Sequence, residues 1–440
     1  MSGEDKFDCI VVGAGPAGIS AAITMAKAGL EVVVIERGEY PGSKNMSGGI
    51  LFTTAIEKLV DDFPADAPVE RRVVRKRYSL LAKETEIAFD FKTSRWDAPP
   101  YNHTWTVLRA KFDKWYAEKA EEAGAELVCG VLVSKLIIEK GTVKGVVTEP
   151  GGDKLYADCV INAEGVNSLL TLQAGLRDEF VPHSMAIGIK EVIALDKTKI
   201  EDRFNIESNE GAALQFFGEC VKGLYGSAFV YTNLDTISAG LALSVGHASQ
   251  AGLKPHELLD SFISMPAIKN YLKGGETLEY SAHMIPEAGY FGLPKSFATD
   301  GLIIVGDAAG FINTSQYFEG TNLAGTSGIL AGETVIEAKE KKDFSRKTLA
   351  AYTEKLKKSF IMKDLYKFRR MKKMMLKHPE YLGEYPKIIE DAIIEFFTIS
   401  DKPKAQVERD VRRMLTSRIG RIGLLKAVWN MKKAMGSPLF

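Results

Sequence analysis

Phe7-Asp-Cys-Ile-Val-Val12 runs directly into Gly13-Ala-Gly15-Pro-Ala-Gly18. The first stretch is apolar and strand-like, and no spacer separates it from the glycines. A helical pattern then continues through Ala28, and Glu31 to Ile35 is a second β-branched run. Strand, glycine turn, helix and strand make a β-α-β unit, which implies a parallel sheet covered by helices. Within that unit, G-x-G-x-x-G suits a dinucleotide. Glycine is needed where the turn is tight and where backbone approaches a pyrophosphate. The helix N-terminus offers N–H groups and partial positive charge to phosphate. Glu36 ends the second strand, roughly 20 residues on, where an acid can meet a ribose hydroxyl. Arg37 follows and can lie over the adenine side. Gly13, Gly15, Gly18, Glu36 and Arg37 are therefore candidate dinucleotide contacts.

Outward from this unit the pattern changes. Residues 37–103 read as irregular, with Gly, Pro and charge clusters. From residue 109 to 123, Phe112, Trp115, Tyr116 and Ala120 share one side, which predicts an amphipathic helix ended by Gly124. Strand-like runs follow at 126–133, 135–139, 142–148 and 158–163. Between Ser184 and Ser244 the runs IGIKEVIAL, GAALQFF, GSAFVYT and ISAGLALSV predict successive antiparallel strands, hence a second, α+β domain. Residues 255–273 read as helix, 301–305 as a strand returning to the first sheet, and 322–342 as a helix. Beyond Phe344 the chain reads as almost entirely helical and basic.

The chain has 440 residues, which suggests two or three domains. Its 45% hydrophobic and 26% charged residues suit a soluble globular protein with a large core. The formal net charge is zero, so bulk charge names no partner, and no nucleic acid is expected. Charge is nevertheless uneven: Met362 to Phe440 holds 18 Lys+Arg against 9 Asp+Glu. Such asymmetry marks either a solvated helical face or a basic surface for an anionic partner. Cys9, Cys129, Cys159 and Cys220 form no C-x-x-C pair, which points to free thiols in a reducing compartment and is a poor set for an iron–sulfur cluster. MSGEDKFDCIVV has no basic region or cleavage site, so no signal peptide is expected. No apolar run reaches about 18 residues, so no transmembrane helix is expected.

Two further segments separate the candidate dinucleotides. Gly301-Leu-Ile-Ile-Val-Gly306-Asp307-Ala-Ala-Gly310 resembles the second FAD signature of aromatic-hydroxylase-like flavoproteins, whose aspartate binds the ribityl chain. Ile161-Asn-Ala163-Glu164-Gly165-Val-Asn-Ser168 resembles their third, with Glu164 where that family usually has Asp. The same resemblance sets Arg109, opening R-x-x-F-D-x-W, near the FAD phosphates. Asn45, Ser47, Gly48 and Gly49 lie in a small, polar loop suited to a flavin cradle. Gly320, Thr321 and Asn322 open the last helix of the FAD domain, whose N–H groups would stabilise charge on reduced flavin. Leu132 completes the candidate set. No second G-x-G-x-x-G lies in a strand–helix unit, so a resident nicotinamide domain is not expected. No His or Cys sits in these motifs, so FAD would be non-covalent.

The resulting expectation is an α/β FAD-binding Rossmann-like domain, an inserted α+β antiparallel-sheet domain, and a helical C-terminal extension. The boundaries read are 1–75 with 104–178 and 296–342 for FAD, 76–103 with 179–295 for the substrate domain, and 343–440 for the basic helical region.

Beyond the FAD signatures stand Asn45-Met-Ser47-Gly48-Gly49, Ala186-Ile-Gly188-Ile-Lys190-Glu191, Tyr225-Gly226-Ser227-Ala-Phe229-Val-Tyr231, Gly274-Gly275…Tyr280-Ser-Ala282…Pro286-Glu-Ala-Gly289-Tyr-Phe-Gly-Leu-Pro294 and Glu319-Gly320-Thr321. With these, residues 5–340 resemble the electron transfer flavoprotein–quinone oxidoreductase family, in particular its shorter FixC type. The resemblance implies electron-transfer flavoprotein subunits as donor and a quinone as acceptor. No cysteine follows Cys220, so the family's [4Fe–4S] domain is not expected here, and a separate ferredoxin-like protein is implied instead. The flavin itself would be the catalyst, with Gly226 and Ser227 at the quinone and glycine allowing its close approach. The resemblance also implies a cytoplasmic chain, peripheral on the inner face of the cell membrane. In Arg418–Met435, a wheel sets Leu424, Ala427, Val428, Met431 and Met435 opposite Arg418, Arg421, Lys426, Lys432 and Lys433. Residues 367–377 repeat the theme with Phe368, Met371 and Met375. Alternatives are a geranylgeranyl (prenyl) reductase, a flavin monooxygenase, or an electron-relay subunit without a substrate pocket.

Overall fold

The computed structural model describes residues 6–46 and 49–435. Leu302–Ile304, Lys154–Asn162, Lys6–Val12, Val32–Glu36 and Glu126–Cys129 lie side by side in that order, all parallel. The helix Pro16–Lys27 joins the two central strands, as the opening β-α-β unit requires. It packs against the long helix Thr321–Lys341 through small residues. A Cβ at Gly328 would lie 2.0 Å from the Ala17 carbonyl oxygen, so the helix contact excludes any larger residue. Cys9, Val33, Val160 and Ile303 are fully or almost fully buried in this core.

A second, nine-stranded sheet stands beside it. From one edge it runs Glu276–Pro286, Met185–Ala194, Thr236–Ser244, Gly226–Thr232, Glu210–Gly218, Val69–Leu81, Thr104–Val107 and Gly49–Phe52, with Glu86–Lys92 added on Val69–Leu81. It is antiparallel except where Glu210–Gly218 meets Val69–Leu81. Alternation divides its faces. Ile189, Leu214, Val230 and Leu241 point to one side, under Leu258, Leu259 and Phe262 of the helix Pro255–Ile263. Each such buried side chain stabilises by about 1.5–3 kcal/mol. Phe229, Tyr231 and Ala213 point to the other side, against Val73 and Ile50.

Residues 37–103 are not irregular. They contain the 13-residue strand Val69–Leu81, and its charges explain the misreading. Arg71 is fully buried and donates to the carbonyls of Asn233, Leu234 and Glu210 and to Glu201. Arg75 and Arg77 pair with Asp90 on the adjacent strand. The charge cluster is thus a cross-strand ladder. The expected boundary after residue 75 falls inside this strand, while Gly49–Phe52 and Thr104–Val107 also belong to the second sheet. The strand expected over 126–133 breaks at Gly130, whose φ is +74°. The helix expected over 255–273 is divided at Pro266.

Helices follow from Arg346 to Met435. Tyr352, Leu356, Ile361 and Leu365 are buried in the first core, so this region is anchored to the parallel sheet and its helices. The amphipathic stretch expected over 367–377 is two helices, Phe360–Phe368 and Met371–Lys377, with Phe368 buried.

Candidate functional site

The glycine loop has one role per glycine. Gly13 adopts φ +104°, and a Cβ there would lie 2.5 Å from the Ala163 carbonyl oxygen. At Gly18 a Cβ would lie 2.0 Å from the Gly13 carbonyl oxygen. These two are demanded by the fold. A Cβ at Gly15 would meet no protein atom within 4 Å, so its demand comes from the ligand side. Gly15 is the N-cap of Pro16–Lys27 and offers no capping side chain. The Glu36 carboxylate accepts from the Ala14 N–H at 2.9 Å and the Gly38 N–H at 2.7 Å, tying strand end to glycine loop. Arg37 is exposed. Leu132 is 47% exposed and begins the strand Leu132–Glu139, beside Val131, whose N–H donates to the Glu36 carbonyl.

A buried carboxylate organises the next shell of the site. Asp113 accepts from Arg109 Nε and Nη2 at 2.7 Å each, and from Asn45 Nδ2 at 2.6 Å. This joins the cradle loop to the helix Arg109–Glu122. Burial acts to lower the Arg109 pKa, but the Asp113 carboxylate outweighs it, aided by Asp307, and the guanidinium is held above its ordinary value. Asp113 escaped the candidate residues, although its i, i+4 spacing from Arg109 in R-x-x-F-D was visible. Gly49 pairs with Val107, which brings the cradle beside Arg109. Ser47 and Gly48 lie outside the described residues.

Gly306 has φ +57° and donates its N–H to Ser327 Oγ at 3.0 Å. Asp307 follows it, and burial raises its carboxyl pKa, opposed by His283 and Arg109. Its side chain keeps some contact with solvent. Glu164 is engaged locally. Its Oε1 accepts from the N–H groups of Leu170 and Thr171 and from Asn162 Nδ2, so it caps the helix Leu169–Gln173. Burial raises its pKa against those donors. Gly320 resembles Gly15, since a Cβ would meet nothing within 4 Å; Gly165 is as open, but its φ of +73° already favours glycine. Gly320 caps Thr321–Lys341, and Thr321 Oγ1 and Asn322 Oδ1 are buried without a protein partner. Open glycine positions, unpaired buried oxygens and two helix N-termini fit FAD, which supplies two-electron chemistry when bound.

The second sheet presents Lys190, Phe229, Gln215 and Tyr78 in register on one face. Phe229 and Tyr231 stack with centroids 4.6 Å apart. Ser227 is buried on this face. Gly226 is different: a Cβ there would lie 2.5 Å from the Ala242 carbonyl oxygen. Its missing side chain makes room for the neighbouring strand. A cleft of about 240 Å³ opens nearby, between Tyr290 and Phe291, the 312–315 loop, and Phe368 and Met371. Ser315 Oγ in its wall is buried and unpartnered.

Residues 8–177 match the family model described as FAD dependent oxidoreductase, and residues 371–436 match the ETF-QO/FixC family C-terminal domain. A probable electron transfer flavoprotein-quinone oxidoreductase, YdiS of Escherichia coli (strain K12), is 44% identical and covers 96% of each chain. Protein FixC of Azotobacter vinelandii is 40% identical, over 97% of this chain and 99% of that one. The chain belongs to the ETF-QO/FixC family. It is an FAD-dependent oxidoreductase. Protein FixC of Azorhizobium caulinodans, at 37% identity over 98% of this chain and 99% of its own, is a further relative. A geranylgeranyl bacteriochlorophyll reductase-like protein from Thermoplasma acidophilum has the same fold, with TM-score 0.73, 20% identity, and coverage of 97% and 99%.

Proposed function

We propose that this family member accepts electrons from electron-transfer flavoprotein subunits and delivers them to a quinone. Full-length similarity to a relative named as an electron transfer flavoprotein-quinone oxidoreductase carries the reading. FAD is held non-covalently by the glycine loop, the Arg109–Asp113–Asn45 cluster and the open end of Thr321–Lys341. A separate ferredoxin-like protein completes the electron path. The 240 Å³ cleft admits the quinone ring, with aromatic walls on one side and the 312–315 loop on the other. Its Lys372 is fixed by Glu287 Oε2 at 2.9 Å and by the carbonyls of Glu287 and His183.

The chain works as a peripheral protein on the inner membrane face. Among the described residues no helix is long and apolar enough to cross a membrane. In Arg421–Met435, Ala434 is buried, whereas Ile422, Leu425, Val428 and Trp429 are exposed. Lys426, Lys432 and Lys433 are exposed with them. An apolar ridge flanked by lysines suits the interface of an anionic bilayer. Stopped-flow reoxidation tests the acceptor: a soluble quinone analogue should outpace dioxygen, and NADH or NADPH alone should reduce the flavin poorly. Faster reoxidation by oxygen, with rapid reduction by a nicotinamide, would favour a monooxygenase.

A further inference from the structure

Lys190 is 0% exposed and shares a sheet face with Phe229 and Gln215. Burying an ammonium is costly unless neighbouring groups compensate it. The surrounding sequence makes space for this one. Gly240 stands opposite it, where a Cβ would lie 2.5 Å from Lys190 Cβ and 2.6 Å from Phe229 Cζ. Gly188, on the same face of the same strand, approaches the cradle loop: a Cβ there would lie 3.2 Å from Met46 Cε. Lys190 therefore extends from a strand that passes directly beside the cradle. Glu279, from the adjacent strand, and Arg109, from the FAD-binding side, act on its charge. Arg109 in turn acts on Asp307, as does His283. Arg109 is thus shared, acting on Lys190 of one sheet and on Asp307 of the other.

We propose that Lys190 is a positioning residue whose positive charge biases the bound cofactor toward its reduced, more negative form. A unit charge within a few ångströms in protein is enough to move such an equilibrium about tenfold or more. Burial, with Arg109 adding to it and Glu279 opposing, lowers the ammonium to about 7, so its charge is gained and lost near neutrality. The inference rests on FAD binding and not on the identity of the acceptor.

The test is an equilibrium reductive titration of holoprotein against a reference dye from pH 6 to 9. Lys190→Met should bind FAD and melt like the wild type, yet reduce about tenfold less favourably at pH 6. That gap should close by pH 9, where the wild-type lysine is neutral. Lys190→Arg should match the wild type at pH 6 and lose the break near neutrality, because arginine stays charged. A merely structural lysine would change FAD content or melting and leave no pH-dependent gap. If Lys190→Met does not accumulate, the comparison of wild type with Lys190→Arg decides. Identical pH profiles for those two, or a Lys190→Met gap constant from pH 6 to 9, would overturn the proposal. Failure of quinone reduction with the profile intact would overturn the acceptor reading alone.

Discussion

The two sheets contribute different matter to the space between them. The parallel sheet contributes backbone: open glycines at 15, 165 and 320, and the N-termini of two helices. The mixed sheet contributes side chains: Lys190, Phe229, Tyr231 and Gln215. Backbone recognition needs glycine at fixed spacing, so it leaves a motif. Side-chain recognition on a strand face needs only that alternate residues point one way, and many sequences satisfy that.

The largest expected effect separates the two kinds of glycine within the first sheet. Gly18→Val should leave no folded protein, because its Cβ meets a carbonyl oxygen at 2.0 Å. Gly15→Val should fold, since its Cβ meets no protein atom within 4 Å, and lose its FAD. Far-UV circular dichroism and flavin absorbance on the two variants distinguish them. A colourless, unfolded Gly15→Val would mean that this glycine too serves packing.

Next comes the carboxylate that couples loop to helix. Asp113→Asn removes the charge holding Arg109 and Asn45. Hydrogen bonds to charged groups contribute about 1.5–3 kcal/mol each, so FAD affinity should fall roughly ten- to a hundredfold with the fold intact. Fluorescence titration of apoprotein with FAD measures this. An unchanged affinity would leave Arg109 with no part in phosphate binding.

The second sheet should respond differently. Phe229→Ala should keep FAD and leave stopped-flow quinone reduction unchanged, because Phe229 does not line the 240 Å³ cleft, whereas Phe291→Ala, in its wall, should slow it several-fold. Gly226→Leu should instead lower the urea midpoint, because its side chain drives into Ala242 and Leu243, at a cost of about 1–3 kcal/mol. A Gly226→Leu protein of unchanged stability with a specific loss of quinone reduction would restore that glycine to the acceptor site.

This contrast also explains what the sequence made legible. The β-α-β opening and Gly306-Asp307 could be read because turns and close approaches restrict residue choice. The strand Gly226–Thr232 was readable from its short continuous run of apolar and aromatic residues. Val69–Leu81 was hidden because its arginines satisfy themselves across strands that are distant in sequence, as Arg71 does at Asn233. Asp113 and Lys190 were hidden for a related reason. Each sits in an otherwise ordinary helix or strand, and only the meeting of the two sheets gives it a role. Glu164 carried a motif position, yet its carboxylate is occupied by the next helix.

The smallest expected effect on the fold concerns the last helix, and it tests whether a third surface belongs in the comparison. The wheel had grouped Val428 with an apolar face opposite the lysines. In the structure Val428 is 70% exposed and Trp429 65%, while Ala434 turns inward and Asn430 Nδ2 lies 3.2 Å from His378 Nε2. Deleting residues 418–440 would therefore disturb packing as well as surface. The double substitution Leu425→Ser and Trp429→Ser touches only exposed side chains. FAD content and melting should stay unchanged. Partial burial of two such side chains in a bilayer interface contributes a few kcal/mol at about 25 cal/mol per Å², so binding to anionic vesicles should weaken at least about tenfold. Lys432→Glu with Lys433→Glu should weaken it further at low salt and little at high salt, since exposed charges are screened beyond about 10 Å at 0.1 M. Co-sedimentation with vesicles of anionic and neutral lipid reads both effects. Binding that ignores the apolar substitutions and disappears in salt would assign the ridge to a protein partner, leaving the lysines alone to meet the membrane.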